Sequence, residues 1–232
     1  MINKKTFTKV LPTIPASLQF AARFGDADIL FDWHKVEGFK GASIDGAQII
    51  SRSVGAFGID LLFASSNIKE VERGISVDQA PPSLGTVNSA VTTFQWKNNL
   101  TGIVEIASGD FNDNDLGALH IAGKHGLNIP VSGDLYIAAI SKSNPDFRTT
   151  GPQVSTETAT NTTALVVKTV SALTAFAPGD VINDQSDLDI GTVRSVTDAN
   201  NIVLTKNCAS VSSVDRFLYN IHPIQVMLSG SI

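Results

Sequence analysis

Short runs of alternating apolar and polar residues occupy residues 17–141, and Gly, Asp and Asn separate them. The alternation is visible in Leu18-Gln19-Phe20 and in Phe94-Gln95-Trp96, and it is typical of strands with one buried face. Strands are predicted over residues 17–22, 29–33, 47–51, 58–64, 91–96, 102–107 and 134–141. Short strands at this spacing favour an all-β fold, with a jelly-roll or β-sandwich domain.

Helical patterns are few in this sequence. The best candidates are residues 67–73 and 115–124, and neither extends into a sustained helical stripe. A doubly wound α/β fold requires long amphipathic helices between its strands. We therefore set that fold class aside.

A polar and almost uncharged segment, residues 151–163, separates these strands from a second set. Further strands are predicted over residues 164–170, 180–183, 191–197 and 202–206, with turns at Pro178-Gly179-Asp180 and at residues 198–201. A unit of about sixty residues is marginally stable alone, so we expect it to lean on the rest of the protein. This second set predicts a small β-barrel-like domain.

Residues 217–228 are long and strongly β-forming, and their second half need not belong to the small unit. The first set of strands otherwise ends near residue 141 with an exposed edge. We therefore predict that residues 223–228 return to the first sheet. The resulting domains are an extended N-terminal arm (1–16), a jelly-roll-like β-sandwich (17–152 plus 221–232) and an inserted small β-domain (153–220). The alternative is that the small domain is simply appended.

Composition narrows the range of partners. The net charge is −5, and charged residues make up 17% of the chain, below the roughly 25% of ordinary soluble domains. A general nucleic-acid binder needs clustered Lys and Arg, so we expect no nucleic-acid partner. Lys4 and Lys5 are interpreted as part of a solvated terminus. No apolar run approaches the roughly 20 residues that span a bilayer, so no membrane partner is expected.

The single cysteine, Cys208, cannot form an intrachain disulfide. Pro12 and Pro15 interrupt the start of the chain where a signal peptide would need a continuous apolar stretch. Both features predict synthesis and folding in a reducing cytoplasm. Cys208 has no flanking motif of a nucleophile, so we expect a buried or half-buried thiol.

No catalytic motif stands out. The glycine spacing excludes both G-x-G-x-x-G and the P-loop, and there is no Gly-x-Ser-x-Gly elbow. His120 and His125 are five residues apart, unlike the i, i+4 pair of a zinc protease helix. The acidic loop of residues 184–189 could supply the paired carboxylates of a glycosidase, but turns select Asp for backbone reasons alone, so we interpret these acids as solvated turn residues. We expect no enzyme activity and no cofactor.

Asp110, Asn112 and Asn114 are the candidate metal ligands, because oxygen-bearing side chains at alternate positions resemble the start of a calcium loop. The match then fails. Asp115 stands where such a loop has glycine, and Ile121 stands where it has glutamate. The sequence therefore predicts no metal site, and these three residues are the weak candidates.

Several segments resemble a known class of proteins when taken in their order along the chain. They are residues 31–36 (FDWHKV), 41–51, 58–64 (GIDLLFA), 126–130 (GLNIP) and 135–140. Between residues 28 and 150 this order resembles tailed-bacteriophage virion structural proteins of the capsid decoration or cement type. The likeness implies a non-enzymatic protein of the virion that binds the major capsid protein on the capsid surface and bridges capsomers. It further implies a homotrimer, made in the host cytoplasm.

Two other classes stay open. A tail- or head-associated adhesin or carbohydrate-binding module would need exposed aromatic residues, so Trp33 and Trp96 would have to face the surface; we expect at least one to be core. A glycan hydrolase would need two loop carboxylates that converge on a cleft. The extended start, residues 6–15, is expected to become ordered on a neighbouring molecule.

Overall fold

A computed structural model describes residues 5–52, 56–66, 80–92, 94–113 and 120–231. The described residues form two β-rich units. The first unit contains β1 (Lys5–Val10), β2 (Ile29–Val36), β3 (Ser43–Ser51), β4 (Ile59–Ser65), β5 (Leu100–Ile106), β6 (Asn112–Asp113), β7 (His120–Pro130) and β8 (Leu135–Ser141). The second contains β9 (Gln153–Val154), β10 (Ala164–Lys168), β11 (Val181–Asp184), β12 (Asp189–Val196), β13 (Asn201–Leu204) and β14 (Leu218–Asn220). The last strand, β15 (Ile224–Ser231), joins the first unit. The α-helices of the described residues are α1 (Ala16–Ala21) and α2 (Ala172–Ala175), and 3₁₀ helices lie at Gln95–Asn99, Ser108–Asp110 and Phe147–Thr150.

The first unit is a sandwich of two antiparallel sheets. One sheet has the order β1-β15-β3-β7-β6, and the other has the order β2-β8-β4-β5. Strand β1 pairs with β15, β2 with β8, β3 with β7, and β4 with β5. These are the pairs of one long hairpin rolled up on itself, which is the jelly roll. The predicted all-β sandwich is therefore confirmed, and the return of residues 223–228 to the first sheet is seen in β15.

The main core lies between the two sheets. Ile44 and Ile49 from β3 meet Leu61 and Phe63 from β4, and all four are fully buried. Complete burial of each such side chain contributes about 1.5–3 kcal/mol. Residues 61–64 of β4 are all apolar because the other face of this strand is covered as well. On that face Leu62 packs with Leu84 and Trp96.

The second unit is a small, nearly closed barrel. Its six strands follow the order β14-β11-β12-β13-β10-β9. A bridge between Gln153 and Phe217 brings the two ends of the sheet together, and the Val154 N–H donates to the Arg216 carbonyl over 2.9 Å. All six strands lie in the chain between β8 and β15. The predicted barrel-like part is thus present, and residues 153–154 of the polar segment belong to it.

Contacts along α1 join the two units. The Gln19 side chain is 2% exposed and donates to the carbonyls of Ile14, at 2.7 Å, and Asn220, at 3.2 Å. The ring of Phe20 lies 5.7 Å from that of Phe217. Arg52, just after β3, forms an ion pair with Asp180, whose side chain is 1% exposed. The barrel is therefore held by side chains as well as by its two chain connections.

Three predicted elements are wrong. Of the strand predicted at 17–22, residues 17–21 belong to α1, where burial of Ala16 and Gln19 follows a helical spacing and Pro15 precedes the first turn. Residues 95–99 form a 3₁₀ helix in place of the strand predicted at 91–96. The helix predicted at 115–124 is replaced over residues 120–124 by β7, which pairs with β3 along its length. The helix predicted at 67–73 lies outside the described residues.

The predicted N-terminal arm also needs correction. Residues 5–10 form β1 and pair with β15 of the same chain. Ile14 is fully buried, and its N–H donates to the Ile221 carbonyl over 2.8 Å. Residues 5–10 therefore pair with the protein's own sheet, and Ile14 is tied to the segment just before β15, so these residues find their hydrogen-bond partners within the same chain.

Candidate functional site on the outer face of the five-stranded sheet

An open apolar trough lies on the outer face of the five-stranded sheet. Its volume is about 410 Å³. Four strands line it with Phe7 and Lys9 from β1, Met227 and Ser229 from β15, Gly46 and Gln48 from β3, and His125 from β7. We call this surface the outer trough.

The strand register fixes which side chains face the outer trough. Phe7 is paired with Ser229 and Lys9 with Met227, and directly paired residues point to the same side of a sheet. Val226, next to Met227, is buried in the sandwich core. Phe7 and Met227 therefore point away from that core, and they are 72% and 39% exposed.

Gly46 forms the floor of the outer trough. A Cβ atom at this position would lie 2.8 Å from the Ser229 Oγ and 3.1 Å from the His125 Nδ1. Both neighbours lean over the glycine, and the missing side chain leaves the space between them open. The depth of the trough thus depends on one residue without a side chain.

The rim of the outer trough carries positive charge. Lys5 and Lys9 are exposed, and neither forms an ion pair with a described residue. The carboxylate of Asp45, on β3, accepts a hydrogen bond from the Ser231 hydroxyl of β15 over 3.2 Å. The interpretation of Lys5 as a solvated residue agrees with its exposure, and the structure adds that Lys5 is the first residue of β1. Lys4 lies outside the described residues.

Ser229 and His125 are neighbours in the outer trough, yet no hydrogen bond joins the hydroxyl to the imidazole among the hydrogen bonds of the described residues. A serine nucleophile requires its base within hydrogen-bond reach. Cys208 is also poorly suited to act as a nucleophile, because it is 2% exposed and burial raises the pKa of its thiol. The predicted buried thiol is confirmed.

Two of the three candidate metal ligands, Asp110 and Asn112, lie among the described residues. The Asp110 carboxylate accepts hydrogen bonds from the Lys124 ammonium at 2.6 Å and from the Ala107 N–H at 2.9 Å. Both bonds lower the pKa of Asp110, and the bond from Lys124 has the larger effect. Asn112 lies on β6, opposite Ile121, and Asn114 falls outside the described residues. Within the described part of the chain, no group of three His, Cys, Asp or Glu side chains could hold a metal ion.

The two neighbouring histidines lie on opposite faces of β7. His120 pairs with Ser51, and His125 pairs with Gly46. Residues five apart in a strand point to opposite sides and lie roughly 16 Å apart along it. The two imidazoles therefore lie too far apart to bind the same metal ion.

The acidic loop of residues 184–189 has a structural role in the barrel. Asp184 is 1% exposed and accepts hydrogen bonds from the Ser186 N–H, at 2.8 Å, and the Ser212 hydroxyl, at 3.0 Å. Asp187 accepts hydrogen bonds from the backbone and hydroxyl of Ser17. The interpretation as solvated turn residues is wrong for Asp184, because the turn folds back over its carboxylate.

The tryptophans pack against one another on the four-stranded sheet. Trp96 is 6% exposed, and its ring lies 6.0 Å from that of the half-buried Trp33. The Trp33 indole N–H donates to the Pro82 carbonyl over 2.9 Å. The prediction that at least one tryptophan is core is confirmed, and Phe94, 56% exposed, is the most accessible ring of this cluster.

No protein-family model, curated protein or solved structure matches the chain. Among the helices that the structure describes, none has the length and apolar character needed to cross a bilayer.

Sequence reasoning missed the outer trough. The signal was present in Lys5-Thr6-Phe7-Thr8-Lys9, which alternates with period two like an edge strand. Because Pro12 and Pro15 follow, this stretch was interpreted as part of an extended arm.

Proposed function

We propose that the chain is a non-enzymatic virion structural protein, a capsid decoration or cement protein that binds the major capsid protein through the outer trough. The observation that carries the proposal is the trough itself: an apolar concavity of about 410 Å³ on a sheet face, with Phe7 72% exposed at its rim. Exposed apolar surfaces of this kind mark interaction sites.

The fold supports the proposal as an analogy. The jelly roll is shared by viral capsid domains, lectins and cupins, so it raises the expectation of a structural or binding role without fixing it. The site supports the proposal further. Its described residues bring together the apolar Phe7 and Met227 and the basic Lys9, and no hydrogen bond joins Ser229 to His125. Adhesion requires only this kind of surface.

The energetics suit attachment through several copies. Apolar contact contributes about 25 cal/mol per Å² of surface removed from water, so one trough alone supports a modest interface. A homotrimer would present three troughs, and a second contact becomes far more effective once the first is made. Bridging of neighbouring capsomers would follow from this geometry.

The test is quantitative mass spectrometry of purified virions of the phage that encodes the chain. We expect a copy number that matches the capsomers, located on the capsid surface, and light scattering of the isolated protein should give three chains of 24.5 kDa each. A few copies per virion would place the protein at the tail or a vertex. Its absence from virions would contradict the proposal.

A second candidate is a tail- or head-associated carbohydrate-binding module. The exposed ring of Phe94 favours it, since sugars stack on accessible aromatic rings. Trp96 is buried, however, and the Trp33 indole N–H is already bonded to Pro82. Binding of the purified protein to a glycan array, abolished by Phe94→Ala, would favour this candidate over the first.

A further inference from the structure

Strand β1 lies at the margin of the five-stranded sheet, and its partner among the described strands is β15. Alternate backbone N–H and C=O groups of a marginal strand point away from the sheet, where another strand can bind them. The Phe7 side chain stands beside this open edge and reaches over the outer trough. The edge and the trough therefore form one continuous surface.

Charge is placed regularly along this edge. Lys5 and Lys9 lie on the same face as Phe7, one on each side, since residues two apart in a strand share a face. All three are exposed. The outer face of β1 therefore reads basic, apolar, basic.

This pattern argues against a second copy of β1 as the occupant of the edge. If two β1 strands paired antiparallel about Phe7, Lys5 of one chain would stand opposite Lys9 of the other. Like charges directly opposite one another destabilise a strand pair. The same alternation would attract a strand with the complementary order of charges.

We propose that β1 binds an extended segment of a partner protein by strand addition, and that the segment carries an acidic, apolar, acidic alternation at every second residue. Its backbone pairs with the open edge of β1, its two carboxylates face Lys5 and Lys9, and its apolar side chain packs against Phe7 at the margin of the outer trough. Strand addition takes affinity from main-chain hydrogen bonds and selectivity from alternate side chains. This inference rests on the proposed function, in which the major capsid protein supplies the segment.

The probe is a capped peptide with the core Glu-Thr-Leu-Thr-Glu, titrated by calorimetry into the full chain. Its matched control has the core Lys-Thr-Leu-Thr-Lys. We expect binding of the acidic peptide, at least tenfold weaker binding of the basic one, and slowed hydrogen exchange of the β1 amides in the complex. Equal binding of both peptides, no binding of either, or binding without protection of β1 would overturn the inference.

Variants sharpen this test. Lys9→Glu and Phe7→Ala should each weaken the acidic peptide at least tenfold, and the double variant Lys5→Glu/Lys9→Glu should come to prefer the basic peptide. Lys206→Glu and Leu173→Ala are the matched controls, since both residues are exposed in the barrel unit and should leave affinity unchanged.

Failure of the inference can be told apart from failure of the proposed function. If the protein is abundant in virions and the double lysine variant is incorporated as well as the wild type, the decoration role stands and the strand addition is wrong. If the protein is absent from virions while the acidic peptide still binds β1, the decoration role is wrong and the edge recognises another acidic segment.

Discussion

At the residue scale, glycines decide how closely strands and side chains approach in the jelly roll. Gly230 in β15 lies against the ring of Phe39, which is fully buried. A Cβ at this position would stand 2.5 Å from the Ser43 carbonyl oxygen and 2.8 Å from Phe39 Cε1. Neither neighbour can move freely, because one is backbone and the other is a core ring.

The substitution Gly230→Ala should therefore lower the free energy of unfolding by about 1–3 kcal/mol through overpacking. Urea denaturation followed by circular dichroism measures the change. Gly109→Ala is the control, since a Cβ there meets nothing within 4 Å. Equal stability of the two variants would show that the strands near Gly230 adjust without cost.

At the element scale, the Arg52–Asp180 pair ties the end of β3 to the turn before β11. Burial raises the pKa of the Asp180 carboxyl, while the hydrogen bond from the Ala177 N–H and the charge of Arg52 act in the opposite direction. The folded protein thus holds this proton more tightly than the unfolded chain does. Its contribution to stability is complete below the unfolded pKa and is lost as the pH rises through the folded pKa.

The advantage in stability of the wild type over Asp180→Asn should consequently fall as the pH rises from about 4 towards 7. Urea denaturation of both proteins across this range gives the difference. Asp198→Asn is a control of opposite sign, because hydrogen bonds, the Asn200 N–H first, lower the pKa of Asp198. Should the wild-type advantage over Asp180→Asn grow with pH, attraction by Arg52 would outweigh burial.

At the scale of the whole molecule, the barrel is set into the jelly roll between β8 and β15. The chain leaves and returns at neighbouring points, since the Leu218 N–H donates to the Pro152 carbonyl over 2.9 Å. Strand β15 then fills the place between β1 and β3. The sandwich therefore depends on residues that follow the barrel in sequence.

A chain ending at residue 151 should lack cooperative unfolding, because the five-stranded sheet would lose β15 from its interior. Joining residues 1–151 to 221–232 through a short Gly-Ser linker should restore a cooperative transition, at lower stability, as α1 loses its contacts with β14. Thermal unfolding by calorimetry distinguishes the two proteins. A cooperative, monomeric 1–151 fragment would contradict the role given to β15.

The sequence alone predicted the all-β class and most of the strands, because alternation with period two is a local property. Strands β2, β4, β5 and β8 were found near their observed positions for this reason. The same logic failed for β7, whose glycines and histidines weaken the pattern. It failed for α1 as well, because three alternating residues are too few to distinguish period two from helical spacing.

The tertiary structure alone decided which surfaces stay open. Phe7 alternates with polar neighbours along the sequence, but whether it lies near Met227 depends on pairings between residues more than two hundred positions apart. The same holds for Asp184, whose buried carboxylate accepts a hydrogen bond from the hydroxyl of Ser212, 28 residues further along the chain. Periodicity fixes the face of a side chain within its strand, whereas the outer trough exists only because non-local pairing brings β1, β15, β3 and β7 side by side.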